Sequence, residues 1–307
     1  MTEPTLLAVV GPTAVGKSAV ADEIACRLQA PVISADSMQV YRGMDIGTAK
    51  APVAERRAPL LMVDVADPTD AYSAALYQRD CRMIIDERIH AGKPVVLCGG
   101  TGLYVRAALD EMAFPAGELV DDRRARYQKL ADQLGADGIH RLLEERDPES
   151  ASLIHPNNVR RCIRALEMLD EGISYAQQQS GFKVPRARYP YGLFALSMDR
   201  ERLYRRIDER VDQMIALGLI DEVRGLMDLG AADALTARQA IGYKEIIDAL
   251  TGRITLEEAV QLIKQRSRRY AKRQLSWWRH DPRTIWIDMD EFDVNGAAHA
   301  IMERMGL

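Results

Sequence analysis

The feature that most narrows what this chain can fold into is Gly11-Pro12-Thr13-Ala14-Val15-Gly16-Lys17-Ser18, a stretch of the form G-x-x-x-x-G-K-[ST] directly after the apolar run Leu6–Val10. A short unbroken apolar run is the pattern of a strand buried on both faces. The residues after Ser18, as far as Leu28, carry apolar side chains at helical spacing. Strand, glycine-rich loop and helix thus come in the order that a phosphate cradle requires. Gly11 and Gly16 let successive backbone N–H groups turn inward, the helix N-terminus adds partial positive charge, and Lys17 adds a full one. Such a loop suits at least two linked phosphates, and Ser18 would offer its hydroxyl to a Mg²⁺ ion bridging phosphate oxygens.

Composition bounds the rest. A chain of 307 residues can hold one large domain and a smaller one, and a formal charge of -4 argues against a generally basic surface without excluding a local patch. Four cysteines without a C-x-x-C pair, and five histidines without H-E-x-x-H spacing, indicate neither a zinc site nor a disulfide framework. No apolar stretch approaches the roughly 20 residues that span a bilayer. The N-terminus enters the first strand almost at once without signal-peptide character, so a soluble protein with no membrane association is expected; the scattered cysteines suit a reducing cytoplasm, and a monomer is expected.

Along the chain, Ala30–Ser34 is a second short strand. If it runs parallel to the first, Asp36 emerges beside the phosphate loop, as a reactive carboxylate or as a turn cap. Gly43–Lys50 is a turn-rich polar loop, Leu60–Val65 a strand candidate, and Tyr72–His90 an amphipathic helix. Pro94–Cys98 is a buried strand running into Gly99-Gly100-Thr101-Gly102, where the Thr101 hydroxyl either meets a phosphate or caps a helix beginning near Leu103.

Phe114-Pro115-Ala116-Gly117 has hinge character, and the charged segment from Asp121 to about Gln179 is helical. Arg123 and Arg124 lie at a helix start there, and Arg160 and Arg164 share a helix face, either for binding or simply solvated. Tyr191–Leu196 restores strand character. Asp199–Met227 is expected as one long helix with Leu203, Ile207 and Val211 inward and Arg202, Arg206 and Arg210 mostly outward; a single arginine reaching the phosphates would balance a diphosphate. Gln239–Lys244 is a loop or helix start. A final long helix, Leu256–His280, has no acidic residue from Lys264 onward. Its basic groups beside Tyr270, Trp277 and Trp278 suit an RNA strand, and a core helix with arginine on its exposed face has the same pattern. Ile285–Ile287 is a last strand, and the tail after Asp293 carries no expectation.

The phosphate loop, Asp36-Ser37-Met38-Gln39-Val40-Tyr41, Gly43–Lys50 and Gly99-Gly100-Thr101-Gly102-Leu103-Tyr104 together closely resemble the bacterial tRNA dimethylallyltransferases. His155-Pro156-Asn157, Arg160-Arg161, Arg164-Ala165-Leu166-Glu167, Gln239–Tyr243 and Lys272-Arg273-Gln274 with Trp277 belong to the same pattern, in order, over nearly the whole chain. The resemblance implies an α/β fold: a P-loop NTPase-like parallel sheet flanked by helices over 1–113 and 191–307, with a small all-helical insertion at 114–190 that grips the anticodon stem-loop. The implied reaction moves the dimethylallyl group of dimethylallyl diphosphate to N6 of adenine 37 in tRNA, with Mg²⁺. Prenyl transfer to free AMP and a small-molecule kinase are the alternatives.

By resemblance, Asp36 is the base that accepts the N6 proton, Lys17 and Thr101 steady the diphosphate held by Gly11–Ser18, and Arg210 assists. The RNA-contacting positions implied are Asp36, Ser37, Met38, Gln39, Thr101, Arg123, Arg160, Arg161, Cys162, Ile163, Arg164, Gln239, Ala240, Ile241, Gly242, Tyr243, Lys244, Arg273, Gln274, Trp277 and His280. The sequence departs from the family pattern at Asn158, where an acidic residue is frequent, at Leu60-Leu61 and at Ser276.

Overall fold

The computed structural model describes residues 6–114, 122–230 and 239–307. They form two compact units: one built from both ends of the chain, up to Leu109 and again from Tyr189, and the other from Asp110–Arg188.

The first unit starts with β1 (Leu6–Val10), buried at every position, and α1 (Lys17–Leu28), which buries Val20, Ala21, Ile24 and Ala25 along one side. β2 (Val32–Ser34) follows, then a two-residue β3 (Leu60–Leu61). The strand expected over 60–65 stops there because Met62 and Asp64 take left-handed φ values of 60° and 57°. The chain turns instead toward the loop after β2, where the Val65 N–H bonds to the Val40 carbonyl at 2.8 Å. α2 (Ala74–His90) begins at Ser73, whose side chain accepts the Leu76 N–H, and is followed by β4 (Val95–Gly99) and α3 (Gly102–Leu109).

The second unit is helical: α4 (Asp122–Arg146), broken at Gly135 (φ 70°), a single turn α5 (Pro148–Ser152), α6 (Val159–Asp170) and α7 (Tyr175–Lys183). Tyr127, Ile139, Leu143, Cys162, Ile163 and Leu166 make its core. Asp170, at the end of α6, accepts hydrogen bonds from Arg126, Tyr127 and Arg146 of α4. Positions 115–117 of the expected hinge, and Asp121, lie outside the described residues.

The chain then adds β5 (Gly192–Ser197), α8 (Arg200–Ala216), α9 (Leu219–Asp228), α10 (Tyr243–Leu250), α11 (Leu256–Arg279), β6 (Ile285–Asp288) and α12 (Val294–Arg304). The helix expected over 199–227 is two helices, because Gly218 at φ 100° turns the chain. The tail beyond Asp293 is a helix capped by the Asp293 side chain, and its Ala297, Ala298 and Ile301 share one core with Val20, Ala21 and Ile24 of α1.

All strands are parallel, in the order β3-β2-β4-β1-β5-β6. Side chains alternate across the sheet: Leu6, Ala8 and Val10 join the core with Tyr77 of α2 and Tyr104 of α3, whereas Leu7 and Val9 join the core with α1 and α12. With the phosphate loop leaving the central β1, this is a P-loop NTPase-like sheet. Loops at the carboxyl ends of β1, β2 and β4 therefore meet on one edge.

Candidate active site

The phosphate loop is shaped by backbone that only certain residues tolerate. Gly11 has φ 138°, and a Cβ there would lie 2.7 Å from the Leu196 carbonyl oxygen. Ala14 is left-handed at φ 65°, and Gly16 caps α1 at φ 111°. Two side chains from later helices hold this conformation: Gln274 Oε1 accepts the Thr13 N–H at 2.8 Å, and Arg206 Nε donates to the Ala14 carbonyl at 2.9 Å. The Lys17 ammonium folds back to donate to the Pro12 carbonyl at 2.6 Å. Burial lowers the Lys17 pKa from 10.5 to about 8; Arg210 adds to the drop, and Cys98 and Asp36 oppose it.

The loops after β2 and β4 lie against each other. A Cβ on Gly99 would stand 2.2 Å from the Ala35 carbonyl oxygen, so glycine permits the approach. The Thr101 N–H bonds to that carbonyl at 3.2 Å, and the Thr101 hydroxyl accepts the Ser37 N–H at 3.1 Å. The Thr101 carbonyl, not its side chain, receives the first N–H groups of α3, Tyr104 and Val105. Asp36 caps its own turn, Oδ1 accepting the Met38 N–H at 2.8 Å, and also faces the cavities described next.

Three adjoining cavities converge here. One of 290 Å³ is bordered by Thr13, Asp36, Gly242, Tyr243, Tyr270 and Arg273. A second of 390 Å³ is bordered by Lys17, Ser18, Asp36, Gly100, Tyr270 and Gln274, and a third of 990 Å³ by Gly16, Lys17, Ser18, Lys50 and Arg206. Arg210 borders all three, and burial lowers its pKa. Arg210, which the resemblance names as the helper at the diphosphate, stands at the cavity wall because the face of α8 that carries Ile207, Val211 and Met214 extends to it.

The loop Asp45–Lys50 is braced by Glu222, which the sequence did not mark, and by Tyr243, Lys50 and Gln39, which it marked for other roles or only within a motif. Glu222 of α9 accepts the N–H groups of Asp45, Ile46 and Gly47, at 3.0, 2.7 and 3.2 Å, and the Tyr243 hydroxyl at 2.6 Å. A Cβ on Gly47 would lie 2.5 Å from the Tyr243 ring. The buried Lys50 ammonium pairs with Asp45 at 2.5 Å and Asp64 at 2.6 Å. Gln39 ties the same loop to β2, accepting from Ser34 and donating to the Thr48 carbonyl. Glu222 and Lys50 carry no local sequence signal of this role.

Comparison with known proteins decides the kinship. The family model described as IPP transferase matches residues 39–281, and one described as isopentenyl transferase matches 4–58. The chain belongs to the IPP transferase family. It is 43% identical to the tRNA dimethylallyltransferase of Carboxydothermus hydrogenoformans, over 98% of this chain and 97% of the relative. It is similar to the crystal structure of the full-length tRNA isopentenylpyrophosphate transferase from Bacillus halodurans, with 42% identity, a TM-score of 0.72, and 98% of this chain and 95% of that one covered. It is also similar to a eukaryotic dimethylallyltransferase captured acting on tRNA, with 28% identity, a TM-score of 0.77, and 97% of this chain and 78% of that one covered.

In this IPP transferase the remaining expected positions divide by burial. In the helical unit Arg160 and Arg161 are exposed, Arg123 pairs with Glu171 at 3.4 Å and Arg164 with Glu167 at 3.3 Å. Cys162 and Ile163 are core residues, so their side chains are not available to RNA. Asn158, the departure noted above, caps α6 by accepting the Arg161 N–H.

In the larger unit Gln239 is exposed, and Ile241 and Lys244 are half-buried. Ala240 and Tyr243 are buried and face the 290 Å³ cavity. On α11, Lys264, Arg266 and Arg268 are tied to Asp212, Glu245 and Asp208, which leaves Arg269, Lys272, Arg273, Arg279 and His280 on the exposed surface. Trp277 is 42% exposed, whereas Trp278 is fully buried and belongs to the core, because consecutive helical residues point apart. Gln274, expected to touch RNA, is buried between two loops.

Proposed function

We propose that this chain is a tRNA dimethylallyltransferase that moves the dimethylallyl group of dimethylallyl diphosphate to N6 of adenine 37, in the anticodon loop. The observation that carries the proposal is that Asp36 and Arg210 line a cavity shared with Lys17 and Ser18 of the phosphate loop. A proton acceptor and an anion cradle thus border one space.

The N6–C bond forms as the allylic C–O bond breaks, and the electron pair of that bond leaves on the diphosphate. Loop N–H groups, Lys17 and Arg210 would stabilise the developing negative charge; the Thr101 hydroxyl, which lines none of the three cavities and bonds to Ser37, is called on by the resemblance. The Asp36 carboxylate takes the N6 proton, which makes a weakly nucleophilic exocyclic amine competent without a covalent enzyme intermediate. The adenine leaves the stack of its loop to reach the 290 Å³ cavity, a modest cost for an unpaired base.

Mg²⁺ fits this donor set. The Ser18 hydroxyl at the start of α1 borders the two cavities that Lys17 also borders and would supply the one protein oxygen that a hard cation needs there. Among the described residues no group of three His, Cys, Asp or Glu side chains offers a competing metal site. When bound, the ion would neutralise charge on the leaving diphosphate. The exposed arginines of the helical unit and the exposed basic face of α11 would neutralise phosphates of the anticodon stem-loop. Among the described residues no helix is long and apolar enough to cross a membrane. A monomer acting on tRNA in the cytoplasm is part of the same proposal.

The deciding experiment incubates the protein and Mg²⁺ with labelled dimethylallyl diphosphate and an anticodon stem-loop, AMP, or ATP with small acceptors. Label in the stem-loop adenine is expected. Label in AMP, or phosphoryl transfer from ATP, would overturn the reading.

A further inference from the structure

Gln274 is 5% exposed, and both ends of its amide are used. Oε1 accepts the Thr13 N–H at 2.8 Å and Nε2 donates to the Gly100 carbonyl at 2.9 Å. A backbone N–H can only donate and a carbonyl only accept, so these partners fix the amide in one orientation. A Cβ on Gly100 would lie 2.0 Å from Nε2, so that position must be glycine for the bond to form. Thr13 belongs to the phosphate loop and Gly100 precedes Thr101, so one side chain joins the two loops that would hold the diphosphate.

Gln274 is also one of a row. Tyr270, Gln274 and Trp277 follow at helical spacing along α11. Tyr270 interacts with Thr101 and Gln274, and a Cβ on Gly102 would lie 2.2 Å from Trp277 Nε1. One face of α11 therefore docks on three consecutive residues, Gly100, Thr101 and Gly102. Lys272, Arg273 and Arg279 stand exposed on the same helix.

We infer that Gln274 is a positioning residue that couples RNA binding on α11 to diphosphate binding in the phosphate loop; the inference rests on the tRNA prenylation reading above. A rigid helix with RNA phosphates on one side and a two-ended amide on the other transmits register from one substrate to the cradle of the other. Linkage is reciprocal, so each ligand raises the affinity of the other by the same factor.

The test measures the dissociation constant of an anticodon stem-loop with and without saturating inorganic diphosphate and Mg²⁺. The protein as described is expected to bind RNA more tightly with diphosphate, by a factor on the order of 5 to 150. Gln274→Met, similar in length and unable to make either bond, should bring that factor toward one while RNA affinity alone stays within about twofold of the parent. Gln274→Glu keeps the acceptor for Thr13 but faces the Gly100 carbonyl with a second oxygen, and should also lose most of the factor. Should Gln274→Met fail to fold, Gly100→Ala attacks the same bond from the other side, and the same loss is expected.

An undiminished factor in a folded variant, or no coupling in the parent, would overturn the inference. A parent that transfers label to RNA while Gln274→Met keeps its coupling removes the positioning role alone. A parent that transfers no label to RNA removes the functional reading and this inference with it.

Discussion

The Thr101 hydroxyl accepts the backbone N–H of Ser37 at 3.1 Å, which bonds the residue after Asp36 to the loop after β4. The Asp36 carboxylate is thereby positioned in the substrate-free protein, where the loops at the ends of β2 and β4 approach closely at Ala35 and Gly99 and the Thr101 N–H bonds to the Ala35 carbonyl. Preorganisation of this kind is where enzymes gain most over water.

Asp36→Ala should lower single-turnover transfer by on the order of 10² or more, because a general base acts in the transition state. RNA affinity should change far less. A rapid-quench rate equal to that of the parent would take Asp36 out of the chemistry.

Lys17 yields a pH prediction with two opposite signs. Its pKa falls from 10.5 to about 8 in the folded, substrate-free protein. An anionic diphosphate prefers the charged form, so the Lys17 contribution to diphosphate affinity is constant below pH 8 and declines above it, by up to tenfold per pH unit. Stability moves the other way: between pH 8 and 10.5 the unfolded chain holds the Lys17 proton and the folded one does not, so this lysine favours folding more as pH rises. Titration calorimetry and urea melts across that window, each compared with Lys17→Met, should show both slopes vanish in the variant.

Lys272→Ala combined with Arg273→Ala should weaken stem-loop binding and make the log–log salt slope shallower by about 1 to 2. Both side chains are exposed on α11, and the Arg273 guanidinium stands 5.5 Å from the Tyr270 ring centroid. A slope identical to that of the parent would assign this face of the helix to packing.

Glu222→Gln keeps the shape but weakens charge-assisted bonds to three successive N–H groups and the Tyr243 hydroxyl, and should cost about 1–3 kcal/mol in a urea melt. Tyr243→Phe should cost less. The double variant should fall short of the sum, because the two share one bond. Strict additivity would show that the hydroxyl contributes nothing through Glu222.

What the sequence shows and conceals follows from distance along the chain. The phosphate loop is local, eight residues between a strand and a helix, and its φ requirements are written in its own glycines. Asp36 and Thr101 are legible because parallel strands put their carboxyl ends on one edge. Glu222 is not, since its bonds reach back 175 to 177 positions to Asp45, Ile46 and Gly47. Gln274 sits in a basic stretch, and nothing in that composition separates a polar residue that meets solvent from one buried in a two-ended bond. Arg210 lies in an arginine-rich helix whose period places it at the boundary of the apolar stripe, where only the neighbouring loops decide that it borders a cavity. The break at Gly218 and the helix after Asp293 are short-range features that an apolar pattern alone passes over.

The position of β1 at the centre of the sheet has a consequence for biosynthesis. Its neighbours are β4 and β5, so Val10, next to the phosphate loop, receives its second partner, Ala195, only after the entire helical unit has been translated. The helices between Asp110 and Arg188 find their partners within their own stretch of chain. Topology therefore sets the order of maturation on the ribosome, with local helical contacts first and the nucleophile's pocket last. Pulse-labelled hydrogen exchange during refolding should protect Val159–Asp170 before Leu6–Val10, and the reverse order would refute this account.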